Sequence, residues 1–195
     1  MMLPITLDDI LSLDEYEQER NEHRKEMIRL KVKRRISIED VLTLVFENRS
    51  TVLHQIHEMI RAERLIESDA IARELEVYNE FVPKENQLSG TLLFELRDLN
   101  KMTEDLERFR GFGQGVHLWF EIPGTDRIPA VFDSSRDEDG KIPSVYHLSF
   151  TFTKEQAEIF CKSRQEVVLV LEHPALKMRT VLSEELRGEL IDDLS

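Results

Sequence analysis

A single helical period constrains this chain more than any other feature: the segment FENRSTVLHQIHEMIRAER, from Phe46 to Arg64. Advancing about 100° per residue, it predicts a helix with Val52, Ile56, Met59, Ile60 and the following Ile66 on one side and Glu63 among them. A carboxylate on an apolar face must meet a cation, a metal or several donors. The preceding long helix, predicted over Asp14–Lys33, offers two partners. Its thin apolar stripe of Leu13, Tyr16, Met27 and Leu30 also carries Arg20 and His23. Packing the two stripes predicts a cluster of Glu63, Arg20 and His23. A fixed ion pair that orients the helices is preferred. The alternatives are an anion held by Arg20 and Arg49, or a divalent metal held by Glu63 and His23.

Around that pair the chain reads as α+β, with a mainly helical N-terminal half over residues 1–87 packed with a mostly antiparallel sheet over 88–195, in one folding unit. Thr6 caps a short helix, VLTLVFE before Glu47 reads as a buried strand although its period also admits a helix, and Asp69–Tyr78 forms another helix. Strands are predicted at Thr91–Leu96, Val116–Ile122, Ile128–Phe132, Val145–Phe152 and Val167–Glu172. The three middle ones pair antiparallel. Helices are predicted over Leu99–Phe109, from Thr153 to Cys161, and from Ser183 through Leu190, and SSRDEDGK is a polar loop.

The net charge of −13 argues against a broad nucleic-acid surface. RLKVKRR, from Arg29 to Arg35, is a local basic exception read as a solvated helix end. The single cysteine, Cys161, permits no internal disulfide and no cysteine-based cluster, which suits a cytoplasmic protein with an inert thiol. Neither a signal peptide nor a run of about eighteen apolar residues is evident.

Two further constellations carry chemistry. His54, His57, Glu58 and Arg61 share the helix face opposite Glu63, and the spacing makes His54, His57 and Glu58 a conceivable metal grip. Their order is neither the zincin pattern nor the paired Glu-x-x-His of di-iron bundles, so a solvated or partner-facing surface is preferred. On the strand near Val116, His117 and Glu121 flank Trp119, and with His147 could serve a divalent metal if the register allowed. A solvent face is the simpler reading. No nucleotide-binding loop or nucleophile motif is present.

The segments FENRSTVLHQIHEMIRAERLIE and EHPALKMRTVLSEELRGEL, with the opening DDILSLDEYEQER, resemble the bacterial family catalogued as domain of unknown function 3501 across nearly the whole chain. Its family-like positions here are Glu47, Asn48, Arg49, Gln55, Glu58, Arg61 and Glu63. The resemblance implies no established activity. It implies instead an accessory role in redox or metal metabolism, beside an iron–sulfur oxidoreductase or a rubrerythrin-like protein. The competing expectation is a metal- or anion-dependent enzyme using the polar cluster around Glu63.

Overall fold

In the computed structural model, which describes residues 3–95, 102–133, 142–162 and 165–194, strands from both halves of the chain join one antiparallel sheet. They are β1 (Arg35–Ile38), β2 (Leu42–Glu47), β3 (Gln87–Phe94), β4 (Leu118–Glu121), β5 (Ile128–Phe132), β6 (Val145–Thr151), β7 (Val168–His173) and β8 (Leu176–Val181). The order across the eight-stranded sheet is β1-β2-β3-β6-β5-β4-β7-β8. The helices are α1 (Leu13–Lys33), α2 (Arg49–Glu63), α3 (Ser68–Asn79), α4 (Met102–Glu107), α5 (Lys154–Lys162) and α6 (Glu184–Leu194), with short 3-10 turns at Leu7–Asp9, after Thr6, and at Phe112–Gln114. Leu96, Leu99–Lys101 and the SSRDEDGK loop, residues 134–141, lie outside the described residues.

The sheet coils on itself. Phe46 on β2 and Phe120 on β4 have three strands between them, and a flat sheet would hold them about 19 Å apart. Their ring centroids are 6.0 Å apart. The result is a nearly closed, barrel-like sheet. Its interior takes alternate residues of each strand: Leu42, Leu44 and Phe46 from β2, Leu88 and Leu92 from β3, Leu148 and Phe150 from β6. Gly90 stands opposite Phe46, where a Cβ would come within 3.0 Å of Leu44 Cδ1 and 3.1 Å of the Val45 carbonyl. Helix α6 adds Leu186 and Leu190 to the same core.

This corrects the expected division into a helical half and a sheet half. β1, β2 and the start of β3 come from the first 87 residues, and the sheet runs from Arg35 to Val181. The pairing of β3 with both β2 and β6 joins the two halves, and such long-range partners leave no trace in local periodicity. β1 and β8 were absent from the sequence-based strand set. The helices build a second apolar layer in which Val52, Ile56 and Ile60 of α2 meet Ile5, Leu75 and Val82. Asn79 fastens the leading segment to that layer, accepting from the Ile5 N–H at 2.8 Å and donating to the Ile5 carbonyl at 2.9 Å.

Arg34, at the junction of α1 and β1, is 1% exposed. Its guanidinium donates to the Phe46 and Glu47 carbonyls at 3.0 and 3.3 Å, to Glu189 Oε2 at 3.4 Å, and to the buried carboxylate of Asp193. One cation thus joins α1, β2 and the last turns of α6.

Candidate functional site

Helix α2 begins at Asn48, whose side chain accepts from the Thr51 N–H at 3.0 Å while Thr51 Oγ1 accepts from the Asn48 N–H at 2.9 Å, a reciprocal cap. It ends at Arg64, in the left-handed region at φ 53°. One face is apolar; the adjoining face meets α1 through polar groups. Arg20 grips Glu58 with two hydrogen bonds of 2.7 and 2.9 Å, and the Tyr16 hydroxyl donates to Glu58 at 2.8 Å. Because that hydroxyl proton is spent on Glu58, the 3.3 Å contact between Tyr16 and His54 makes His54 Nδ1 the donor. Arg61 adds its charge 3.6 Å from Glu58.

The electrostatics follow this geometry. Arg20, opposed by burial and helped by Tyr16, holds the Glu58 carboxyl down at about 2. Burial pushes the Tyr16 hydroxyl up, with Glu58 adding to it. His54 is lowered by burial. His57, stacked on Tyr16 with centroids 4.7 Å apart, is depressed by burial to about 4, and its Nε2 accepts from the Leu11 N–H at 3.0 Å. These side chains tie α1 and the leading segment to α2.

The expected pairing of Glu63 with Arg20 and His23 does not form. Glu63 is exposed, Ile66 is 76% exposed, and Arg20 pairs with Glu58. The physical reason lies at the helix end: Glu63 is the last residue of α2 and the chain turns at Arg64, so that Ile60 and Leu65 on either side enter the apolar layer while Glu63 stays in solvent. His23 meets Glu19 at 3.1 Å on its own helix. Arg49 pairs with Asp9 at 2.6 Å and donates to the Leu3 carbonyl at 3.1 Å, holding the leading segment. His54, His57 and Glu58 do not form a ligand set, since both Glu58 oxygens and His57 Nε2 already accept protein hydrogen bonds.

His117, Glu121 and His147 likewise go to different partners. His117 Nδ1 lies 2.9 Å from the Glu172 carbonyl and its ring packs on His173. Glu121 accepts from Arg179 at 2.6 Å and Trp119 at 2.9 Å, and Arg179 holds its carboxyl down at about 2. His147 stacks on Phe81 with centroids 3.9 Å apart. Among the described residues no group of three or more His, Cys, Asp and Glu is arranged to hold a metal ion.

Glu47 and Gln55 belong to a different place, the outer face of β2, β3 and β6. The register sets Glu47 beside Ser89, Ser89 beside Ser149, and Thr91 beside His147. Glu47 is 2% exposed; its Oε1 accepts from Thr91 Oγ1 at 2.8 Å and Gln55 Nε2 at 3.4 Å, while its buried Oε2 has no hydrogen-bond partner among the described residues. It lines a cavity of about 360 Å³ with Glu80, Phe81, Asp133 and His147. Sequence reasoning marked Glu47, Gln55 and His147 separately and missed Thr91, Ser89 and Tyr16. For Ser89 and Thr91 the signal is their alternation with Leu88, Gly90 and Leu92 along LSGTL, and strand register is needed to use it.

A larger groove of about 530 Å³ runs between α1 and the start of α2, lined by Tyr16, His23, Arg29, Lys33 and His54 among others. Next to it, the second half of α1 exposes Ile28 and Val32, each 57% accessible, among Arg24, Lys25, Arg29 and Lys33, with Arg35 following. The described residues contain no helix long and apolar enough to cross a membrane.

A solved crystal structure of a novel protein of unknown function from Burkholderia pseudomallei is similar throughout: 26% identity over 99% of this chain and 100% of that one, with a TM-score of 0.91. No curated protein matches the chain. The match to the family of proteins of unknown function DUF3501 extends over residues 4–194, and the chain belongs to that family.

Proposed function

We propose that this DUF3501 protein is a cytoplasmic binding accessory of a redox system, docking an acidic surface of an iron–sulfur oxidoreductase or rubrerythrin-like protein through the second half of α1. The carrying observation is charge segregation. In a chain of net charge −13, Arg24, Lys25, Arg29, Lys31, Lys33 and Arg35 gather around two exposed aliphatic side chains, Ile28 and Val32. Lys25 and Lys33 have acidic neighbours in Glu22 and Glu185, at 2.7 and 3.8 Å, and between Arg24 and Arg35 these six cations stand against one acid, Glu26. Apolar anchors ringed by one sign of charge suit a complementary protein surface, with the charges steering the encounter. The redox identity of the partner rests on the family resemblance.

The chain's own thiol supports a binding role. Cys161 is half-buried, and burial pushes its pKa up despite Arg187 and Lys162, opposite to what a reactive cysteine needs. An enzyme centred on Glu63 has no support in the geometry, because that carboxylate is exposed and the polar cluster is centred on Glu58.

Calorimetric titration of the chain with each purified candidate partner tests the proposal. One partner should bind with an affinity that weakens as salt rises, and Arg29→Glu with Lys33→Glu should raise its Kd at least about tenfold. Absence of binding by both partners at about 0.1 mM, or full affinity in the charge-reversed variant, overturns it.

A further inference from the structure

Two apolar side chains of α1 have no place in either core. Met27 and Leu30 are half-buried, yet among the described residues they join neither the interior of the sheet nor the apolar layer around α2. Both instead line the groove of about 530 Å³ between α1 and α2. The two helices run antiparallel, with Glu17 opposite Arg61 and Arg20 opposite Glu58. Past that polar contact, Met27 and Leu30 on one wall and Leu53 on the other enclose the groove. Water against these side chains is unfavourable, and an apolar occupant removes it.

The walls select the kind of occupant. Every described lining residue belongs to α1, to α2 and its cap Asn48, or to α6 through Glu189. With no strand edge at the groove, an extended segment would bring backbone N–H and C=O groups that find no partners there, whereas a helix satisfies its own. The charges select its sign. Arg29 and Lys33 stand on the α1 wall, with Lys31 between them in the sequence. Helix α2 turns its N-terminal end toward the groove at Asn48 and Ser50, and its first turn holds no acid to offset the dipole. Of the two carboxylates on the walls, Glu189 is drawn to Arg34 at 3.4 Å, which leaves Glu26 against the cations.

We propose that this groove receives an acidic amphipathic helix of the partner, its apolar side chains against Met27, Leu30 and Leu53 and its carboxylates toward Arg29 and Lys33. The inference rests on the reading of α1 as a docking face and names the element of the partner that docks. At about 100° per residue, Ile28 and Val32 lie on the side of α1 away from Leu30, so substitution separates the two surfaces.

Fluorescence anisotropy on the full chain tests the groove with a labelled amphipathic Leu/Glu peptide of about eighteen residues, long enough to hold a helix, and a scrambled peptide of the same composition. The amphipathic peptide should bind with a Kd below about 0.1 mM and at least about tenfold tighter than the scrambled one. Met27→Glu with Leu30→Glu should weaken it at least about tenfold with the melting curve retained, while Ile28→Glu with Val32→Glu should leave it in place. No binding at about 1 mM, equal binding of the two peptides, equal affinity in the two double variants, or self-association of the chain that Met27→Glu with Leu30→Glu abolishes overturns the proposal. Should that variant fail to fold, methyl NMR of the unaltered chain decides: the peptide should shift Met27, Leu30 and Leu53 ahead of Ile28 and Val32, and the reverse order overturns the groove. A redox partner bound with salt-sensitive affinity that Met27→Glu with Leu30→Glu leaves intact also overturns the groove, while the docking reading stands. Peptide binding without binding of either redox protein upholds the groove and removes that reading.

Discussion

Arg34→Ala should destabilise the protein by about 3–5 kcal/mol, the range for breaking a buried ion pair by deleting one partner. The guanidinium is 1% exposed and satisfies the Phe46 and Glu47 carbonyls as well as Asp193, so alanine orphans several acceptors at once. Burial already pushes the Asp193 carboxyl up to about 6 against the pull of Arg34. A carboxyl raised on folding favours the fold when neutral, and that contribution is lost as pH rises through the folded-state pKa. Removing Arg34 raises this pKa further. The deficit of the variant measured by urea denaturation should therefore be largest at neutral pH and shrink as pH falls below about 4, where Asp193 is neutral in both proteins. Arg34→Met combined with Asp193→Leu should recover much of the loss, since an apolar pair of similar volume avoids the desolvation. A deficit in Arg34→Ala below about 1 kcal/mol would remove this residue as the tie between α1, β2 and α6.

The second large effect belongs to Glu58. Its carboxyl is held at about 2, below its ordinary value of 4.5, chiefly by Arg20. At a carboxylate 29% exposed, solvent screening brings the stabilisation to about 1–2 kcal/mol. Glu58→Ala should cost about 2–3 kcal/mol, because Tyr16 and Arg20 also lose their acceptor. The sign with pH is opposite to that of Asp193. A depressed carboxyl contributes fully above its unfolded value, so stability should fall as pH drops from about 4.5 toward 2. Glu58→Gln should flatten that acid limb in pH-dependent melting. An identical acid limb in wild type and variant would show that the pair carries no linkage.

What the sequence disclosed depended on how far each residue's partner lay along the chain. The strand at LTLVFE and the helix after Thr153 depend on neighbours within a few positions, and both stand in the structure. Glu63 misled because helical period describes a face but not how far packing extends along it, and α2 ends at that residue. Glu58 lay on the face read as solvent or partner surface, since its partners, the buried Tyr16 and the half-buried Arg20, are 42 and 38 residues away. The same limit hid the coiling of the sheet. Nothing near Phe46 states that Phe120 will stack against it. The Glu47 site needed the register Glu47↔Ser89 and Thr91↔His147, which only assembled strands supply.

The distance from Arg34 to Asp193, 159 residues, also has a consequence for synthesis. A ribosome delivers Arg34 long before the carboxylate that neutralises it, so the emerging chain cannot bury this guanidinium at low cost until α6 has been made. Until then the core at β2 has reason to stay open, and long-range closure of this kind comes late and slowly. Nascent chains halted before α6 should therefore expose the interior of the sheet to proteases and chaperones, and commitment to the native fold is deferred to the arrival of the last helix.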